Sequence, residues 1–429
     1  MASVASLEAS VEATLDAISG DQWRARQPFT IFRVPAYVRD GNRTAYEPRV
    51  VSIGPYYHGG AVLRAMEDHK WRYLHDLLSR RSGAGVAVVT ASALVAEMRS
   101  LEARARACYS ERPIGLSSDD FVRMLLLDGC FILEFFFKWH TKQPDGLCDV
   151  GWGLTLVAAD LLLMENQIPF IVLESLYEAI AGAQGSRQSL LNLLVEYIVD
   201  EEPVRRPSGD WDVHHLLHLY YECFVPKRPR PPDSARKTPA APTRTILRAS
   251  ELREAGITIV RRHRAARDRF DVTFDRRRGV MEIPAIEIDD MKRPLLVNLI
   301  AFEQTQAGEE SRLLTSYVAL IGQLIVTARD VEFLRRRGVL ESLLADDEEA
   351  ARFFSRLGEG AAMDFSHQAF AGLYEDVRRY CDSWWHRNRA ALRRDYFASP
   401  WSAISIVVAA IVVFLAATQT YFTVFPAKK

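Results

Sequence analysis

The chain has 429 residues, 48% hydrophobic and 25% charged, with a formal net charge of -1. Such a composition is too apolar for a disordered chain and provides for a large core, while the balanced charge leaves no global field to draw nucleic acid. Five widely spaced cysteines, Cys108, Cys130, Cys148, Cys223 and Cys381, form no C-x-x-C pair, which excludes a zinc knuckle or a paired redox motif and points to reduced thiols.

At the start of the chain Val4, Leu7, Val11, Leu15 and Ile18 recur at helical spacing, and no basic-then-apolar signal pattern is present. An amphipathic helix docking on the body is expected over 1–27. Residues 61–81 read as a helix because Leu63, Met66, Lys70, Leu74 and Leu77 share one face. A weaker stretch follows. Asp119 and Asp120 then suit the start of a strong helix that runs through FVRMLLLDGCFILEFFFKWH and breaks at Pro144. A further helix is expected over 153–181, bent near Pro169, with shorter ones at 187–200 and 211–224.

Between Pro226 and Thr243 six prolines and several basic residues mark a flexible linker. Beyond it Ile257–Val260, Phe270–Phe274 and Val280–Ile283 are short and separated by polar turns, with Gly279 suited to a hairpin bend. Those segments predict a small antiparallel β-sheet. Helices resume near Pro294.

From Trp401 to Phe425 no residue is charged, and about 25 residues at 1.5 Å rise give roughly 37 Å, enough to cross a hydrocarbon core of about 30 Å. A single transmembrane helix over 399–425 with a short tail at 426–429 is therefore expected. Arg387, Arg389, Arg393 and Arg394 upstream, against Lys428 and Lys429 beyond, place the N-terminal body in the cytosol as a tail-anchored protein of the plasma membrane or endoplasmic reticulum. The opposite topology would open the sequon Asn42-Arg43-Thr44 to glycosylation. The fold class predicted is thus mainly α with a small antiparallel sheet: a multi-helix body over 28–398 plus one C-terminal membrane helix.

Two polar blocks interrupt apolar helical patterns: Glu165, Asn166 and Gln167 beside Pro169, and Asn298, Glu303 and Gln304. Buried groups of this kind must pair. One reading is a carboxylate and amide site for acid or base work. The other has the side chains satisfying carbonyls freed by Pro169 and linking two helices, so that Glu165 or Asn166 lies near Asn298 or Glu303. With no nucleophile or metal motif beside them, the structural reading is preferred.

His214, His218 and Glu222 fall at i, i+4 and i+8, but eight residues of helix span roughly 12 Å, so the three cannot share one ion. No metal or cofactor is expected. Residues 261–278 hold eight arginines against three aspartates. Arg261, Arg262, Arg264, Arg276, Arg277 and Arg278, with Arg393 and Arg394 near the apolar tail, are candidate contacts for anionic lipid headgroups, the alternative being a solvated hairpin rim. Nucleic acid is not expected, since no binding module accompanies the arginines. The chain also lacks G-x-x-x-x-G-K-[ST], H-E-x-x-H and G-x-S-x-G.

The stretches IFRVP (31–35), AYEPRVVSIGPYYHG (45–59), LDGCFIL (127–133), LLLMENQIPF (161–170), AGI (255–257), MEIP (281–284) and NLIAFEQ (298–304) closely resemble the plant-specific family defined by domain of unknown function 247, as does DYFASPWSAIS before the apolar tail. One departure is Tyr57, where the family pattern leads one to expect a histidine beside His58. The resemblance implies a plant origin and membrane association, without an established activity, and some grass members are implicated in pollen self-incompatibility. The function expected is a membrane-anchored, non-enzymatic recognition or scaffold module, binding a protein partner at the membrane surface as well as membrane lipid. Two alternatives are a self-incompatibility determinant and an enzyme using the buried carboxylates and amides.

Overall fold

The computed structural model describes residues 7–13, 15, 29–81, 89–111, 114–182, 185–199, 203–227, 244–262, 269–306, 312–361, 368–383, 408–409 and 411–420. Its helices in chain order are α1 (Ala36–Asp40), α2 (Arg43–Tyr46), α3 (Ala65–Arg81), α4 (Ala91–Ala107), α5 (Ser118–Thr141), α6 (Gly153–Leu161), α7 (Phe170–Ala181), α8 (Arg187–Ile198), α9 (Leu216–Phe224), α10 (Ala249–Glu254), α11 (Lys292–Thr305), α12 (Leu313–Leu324), α13 (Ala328–Arg336), α14 (Asp347–Leu357) and α15 (Ala371–Asp382). Strands are β1 (Thr258–Arg261), β2 (Thr273–Asp275), β3 (Val280–Ile283), β4 (Ile286–Ile288) and β5 (Leu340–Ser342). The mainly helical expectation holds. The chain divides into two compact units: the first comprises residues 1–227 and 291–308, the second residues 228–290 and 309–429.

The first unit is built on α5, which is buried on nearly every side. Its run of Leu, Ile and Phe leaves no polar stripe, so α3, α4, α7 and α8 pack around it. Each fully covered Leu or Phe there stabilises the fold by about 1.5–3 kcal/mol. Gly129 permits the close approach of α7, since a Cβ at that position would overlap Leu176 and press on Val172. The helix starts one turn earlier than Asp119 and Asp120 suggest: the Ser117 hydroxyl accepts from Asp120 N at 3.1 Å, and the two acids occupy the first turn, where the helix dipole favours them. It stops at Lys142, whose left-handed backbone (φ 51°) turns the chain before Pro144.

Two expectations for this unit change. Residues 153–181 are not one bent helix but α6 and α7, separated by a buried non-helical run over 162–169. Pro169 caps the second helix instead of kinking a continuous one. In addition, the weak stretch after residue 81 contains α4, whose Leu94, Met98, Leu101 and Ala105 form its buried face. Leu7, Val11 and Leu15 of the N-terminal stretch are helical and exposed.

In the second unit β3 is the centre of a three-stranded sheet of order β1-β3-β2. As expected, β2 and β3 form an antiparallel hairpin turning at Gly279 (φ 66°), where a side chain would run into the Tyr380 ring. The sheet as a whole is mixed, however, because β1 pairs with β3 in parallel, setting the buried Ile259 beside the buried Met281. Alternating apolar residues report which face is covered, not which strand lies alongside. A second small sheet pairs β4 with β5 in parallel.

The predicted transmembrane helix requires correction. Among the described residues no helix is long and apolar enough to cross a membrane. In the tail the described helical residues are 408–409 and 411–420. Crossing a core of about 30 Å takes about 20 residues of apolar helix. An apolar composition sets the preference for lipid, and a crossing segment must also pair every backbone polar group within itself. The rest of the expected span lies outside the described residues, and the single-pass membrane localisation that rested on it is not supported. Most of the Pro/Arg-rich linker, residues 228–243, likewise lies outside them.

Candidate functional site: a side-chain cage in the first unit

Residues 47–57 cross the first unit without joining a helix or a strand. Val51, Ser52, Ile53 and Gly54 are buried, so their peptide groups need partners that no neighbouring strand supplies. Polar side chains fill that role. The Asp160 carboxylate, at the end of α6, accepts from the backbone N–H of Arg49 (3.0 Å), Val50 (2.7 Å) and Val51 (2.9 Å). Asn166 Oδ1 accepts from Ile53 N (2.7 Å), and Asn166 Nδ2 donates to Val51 O (3.0 Å) and Asp160 O (2.9 Å). Gly54 N donates to Asp128 Oδ2 (2.8 Å), and Lys70 Nζ donates to Ser52 O (2.7 Å).

The first predicted polar block, with Asn298 of the second, belongs to this cage. Glu165 Oε1 accepts from Val34 N (2.8 Å) and its Oε2 from the Tyr57 hydroxyl (2.7 Å), with Arg39 and Arg33 at 3.5 and 3.7 Å. Tyr57, the departure from the family pattern, therefore serves the buried glutamate. Burial, and next the hydrogen bond to Glu165, push the Tyr57 phenol well above its ordinary pKa, so it stays a donor. Gln167 Nε2 donates to the carbonyls of Leu161 (2.7 Å) and Leu163 (2.8 Å), while its Oε1 accepts from Leu217 N (3.2 Å). Asn166 and Gln167 thus pair with the carbonyls of Val51, of Asp160 and Leu161 at the end of α6, and of Leu163 in the loop that follows.

Asn298 Oδ1 accepts from Met164 N (2.8 Å), and its Nδ2 donates to Ala45 O (2.7 Å) and Pro294 O (2.8 Å). The second block therefore meets the first through the backbone beside Glu165, not through a side-chain pair. Glu303 lies elsewhere and accepts from the Tyr221 hydroxyl (2.7 Å), and Gln304 is half-buried on α11. The sequon residue Asn42 is buried and accepts from Arg293.

Asp128, Asp160 and Lys70 escape a reading by periodicity. Lys70 fits the helical stripe of α3, yet its ammonium is fully buried against Asp128 Oδ1 and Glu67 Oε1, each at 2.7 Å. An ionisable residue within an apolar stripe is the signal that a partner must exist.

The histidines cluster at the start of α9. His214 precedes α9, and His215 is the N-cap residue, its Nδ1 accepting from His218 N and its Nε2–H donating to Thr30 O at 3.0 Å. The ring Nδ1 of His218 accepts from His214 N, and its Nε2 faces Glu222 Oε1 at 3.8 Å.

In the second unit Arg261 pairs with Glu341 (2.7 Å) and Arg262 with Asp271 (2.8 Å). Arg276, Arg277 and Arg278 are exposed at the β2–β3 turn. Arg264, Arg393 and Arg394 lie outside the described residues.

A model of plant proteins of unknown function, DUF247, matches residues 31–415, nearly the whole chain. The chain belongs to this plant family. Among similar proteins, a UPF0481 protein of Arabidopsis thaliana is 28% identical, over 91% of this chain and 85% of its own length. A putative UPF0481 protein of the same plant is 23% identical over 97% and 94%. No solved structure matches. Within this DUF247 chain the matched region contains the whole cage, from Val34 to Asn298.

Proposed function

We propose that this plant protein is a non-enzymatic recognition or scaffold module for a protein partner. The observation that carries this reading is the commitment of the buried polar groups to the backbone. Both Glu165 oxygens, both ends of the Asn166, Gln167 and Asn298 amides, and the Asp160 carboxylate each hold main-chain or tyrosine partners. A catalytic group keeps capacity free for substrate, whereas these give theirs to shape.

A surface cleft of about 480 Å³ at the C-terminal end of α5 is lined by Lys138, Trp139, His140, Gln143, Cys148 and Glu196 among others, and shares no residue with the cage. Burial, and next the nearby Asp145, push the Cys148 thiol there up to about 11, which keeps it protonated at neutral pH.

The test is proximity labelling from the full chain in plant cells, followed by reconstitution of the most enriched neighbour with purified protein. A saturable complex of fixed stoichiometry supports the reading. Turnover of any compound in a metabolite screen, abolished by Glu165→Gln or Glu303→Gln in a folded variant, overturns it.

A further inference from the structure

Two cations in the first unit converge on one buried carboxylate and keep most of their hydrogen-bonding capacity. Arg33 Nε lies 3.7 Å and Arg39 Nη1 3.5 Å from the same oxygen, Glu165 Oε2. Sharing that oxygen holds the two nitrogens no more than about 7 Å apart, close enough for one bidentate acceptor to bridge. The short bonds of Glu165 go instead to Val34 N and the Tyr57 hydroxyl. The other acid beside Arg33 is Glu111, 3.5 Å away with a side chain 60% exposed. Among the described residues neither guanidinium has a carboxylate nearer than 3.5 Å, although Arg43 and Glu47 in the same unit close to 2.6 Å.

A guanidinium offers five N–H donors and bonds oxyanions best at about 2.7–2.9 Å. The Arg33 side chain is 33% exposed and that of Arg39 25%, so solvent reaches both. Arg33 is also held in place: its guanidinium lies 5.1 Å from the Tyr56 ring centre and 5.9 Å from that of Tyr57, and its backbone N–H donates to Ser110 Oγ. Preorganised donors with loose native partners are what an incoming anion exploits.

We propose that Arg33 and Arg39 form a fork that binds a single oxyanion, a phosphate monoester or a carboxylate, carried on a peptide segment of a protein partner. Glu165 remains below as the fixed counter-charge, and the exposed Glu111 swings away from Arg33. Only the choice of a peptide as carrier rests on the recognition reading above.

The probes are inorganic phosphate and three fluorescein-labelled peptides of one sequence, bearing serine, phosphoserine or glutamate at the central position. Binding to the full chain is read by anisotropy, with inorganic phosphate as competitor. Phosphoserine or glutamate peptide binds saturably, the serine peptide about tenfold or more weaker, and Arg39→Gln lowers the affinity about tenfold or more with circular dichroism unchanged. Arg39→Lys, which keeps the charge without the fork, loses part of the affinity, and it carries the test if Arg39→Gln does not fold. Equal binding of the wild type and both variants, or no probe binding better than the serine peptide, overturns the proposal. Should phosphate alone bind and neither charged peptide, the fork stands and the peptide carrier falls.

Discussion

Lys70 Nζ and Asp128 Oδ1 lie 2.7 Å apart with both side chains sealed from solvent, and the pair clamps one peptide run from two sides: Lys70 donates to Ser52 O while Asp128 accepts from Gly54 N. Burial works against the Lys70 ammonium, but Asp128 and Glu67 together outweigh it and hold the pKa above the usual lysine value. Lys70→Met leaves Asp128 buried without its counter-charge and costs about 3–5 kcal/mol. The double variant Lys70→Met, Asp128→Asn, which keeps an acceptor for Gly54, recovers part of that loss. Urea unfolding of the two variants beside the wild type measures both, and a cost under about 1 kcal/mol for the single change contradicts the clamp.

Asp160 supports three consecutive N–H groups, so its removal orphans all of them. Asp160→Ala is expected to destabilise the chain by about 3 kcal/mol or more, at about 1–3 kcal/mol for each buried donor left unpaired. Asp160→Asn retains one acceptor oxygen and falls between. Hydrogen exchange at Val50 and Val51 reads the effect locally, and both amides lose protection in the alanine variant.

Acid sensitivity should follow from His215. Burial, with His218 and His214 adding to it, depresses its pKa well below the ordinary value, so the ring stays neutral in the fold while an unfolded chain takes up a proton below about pH 6.5. The unfolded state then binds more protons, and stability falls as pH drops from about 6.5, at up to about 1.4 kcal/mol per pH unit for this one group. Half-buried His214, depressed by burial and then by His218, acts in the same direction. Denaturation midpoints between pH 8 and 5 measure the slope. His215→Gln should flatten it, and an unchanged slope assigns the sensitivity elsewhere.

Gly54 and Gly59 share a φ of 76° but differ in surroundings. A Cβ at Gly54 would overlap the Gln167 carbonyl oxygen, whereas at Gly59 nothing lies within 4 Å. Gly59→Ala is expected to cost about 1–2 kcal/mol, the backbone term alone, and Gly54→Ala distinctly more. Calorimetric melting of the two variants decides the order.

Much of the local structure was legible. The continuous apolar run of α5 forces a central helix, Gly279 marks the hairpin, and the ENQ and Asn298 residues announce buried polar pairing because amides and carboxylates inside apolar patterns must find partners. The stripe of α4 was hidden by the charged residues between Leu94 and Ala105. The apolar tail set a preference for lipid, while among the described residues no helix is long and apolar enough to cross a membrane.

What the chain could not show on its own was identity of partner. Asp160 reaches Val50 across 110 positions, and Asn298 reaches Ala45 across 253. A hydrogen-bonding group states its need in the sequence, but which backbone answers depends on how distant segments fold together. The same holds for β1, whose alternation gave a covered face while its parallel seat beside β3 came from assembly. Local chemistry determined the elements and the demand for pairing. Tertiary structure alone placed Glu165, Tyr57, Arg33 and Arg39 around one oxygen, because proximity between remote residues is set by the packing of the whole unit.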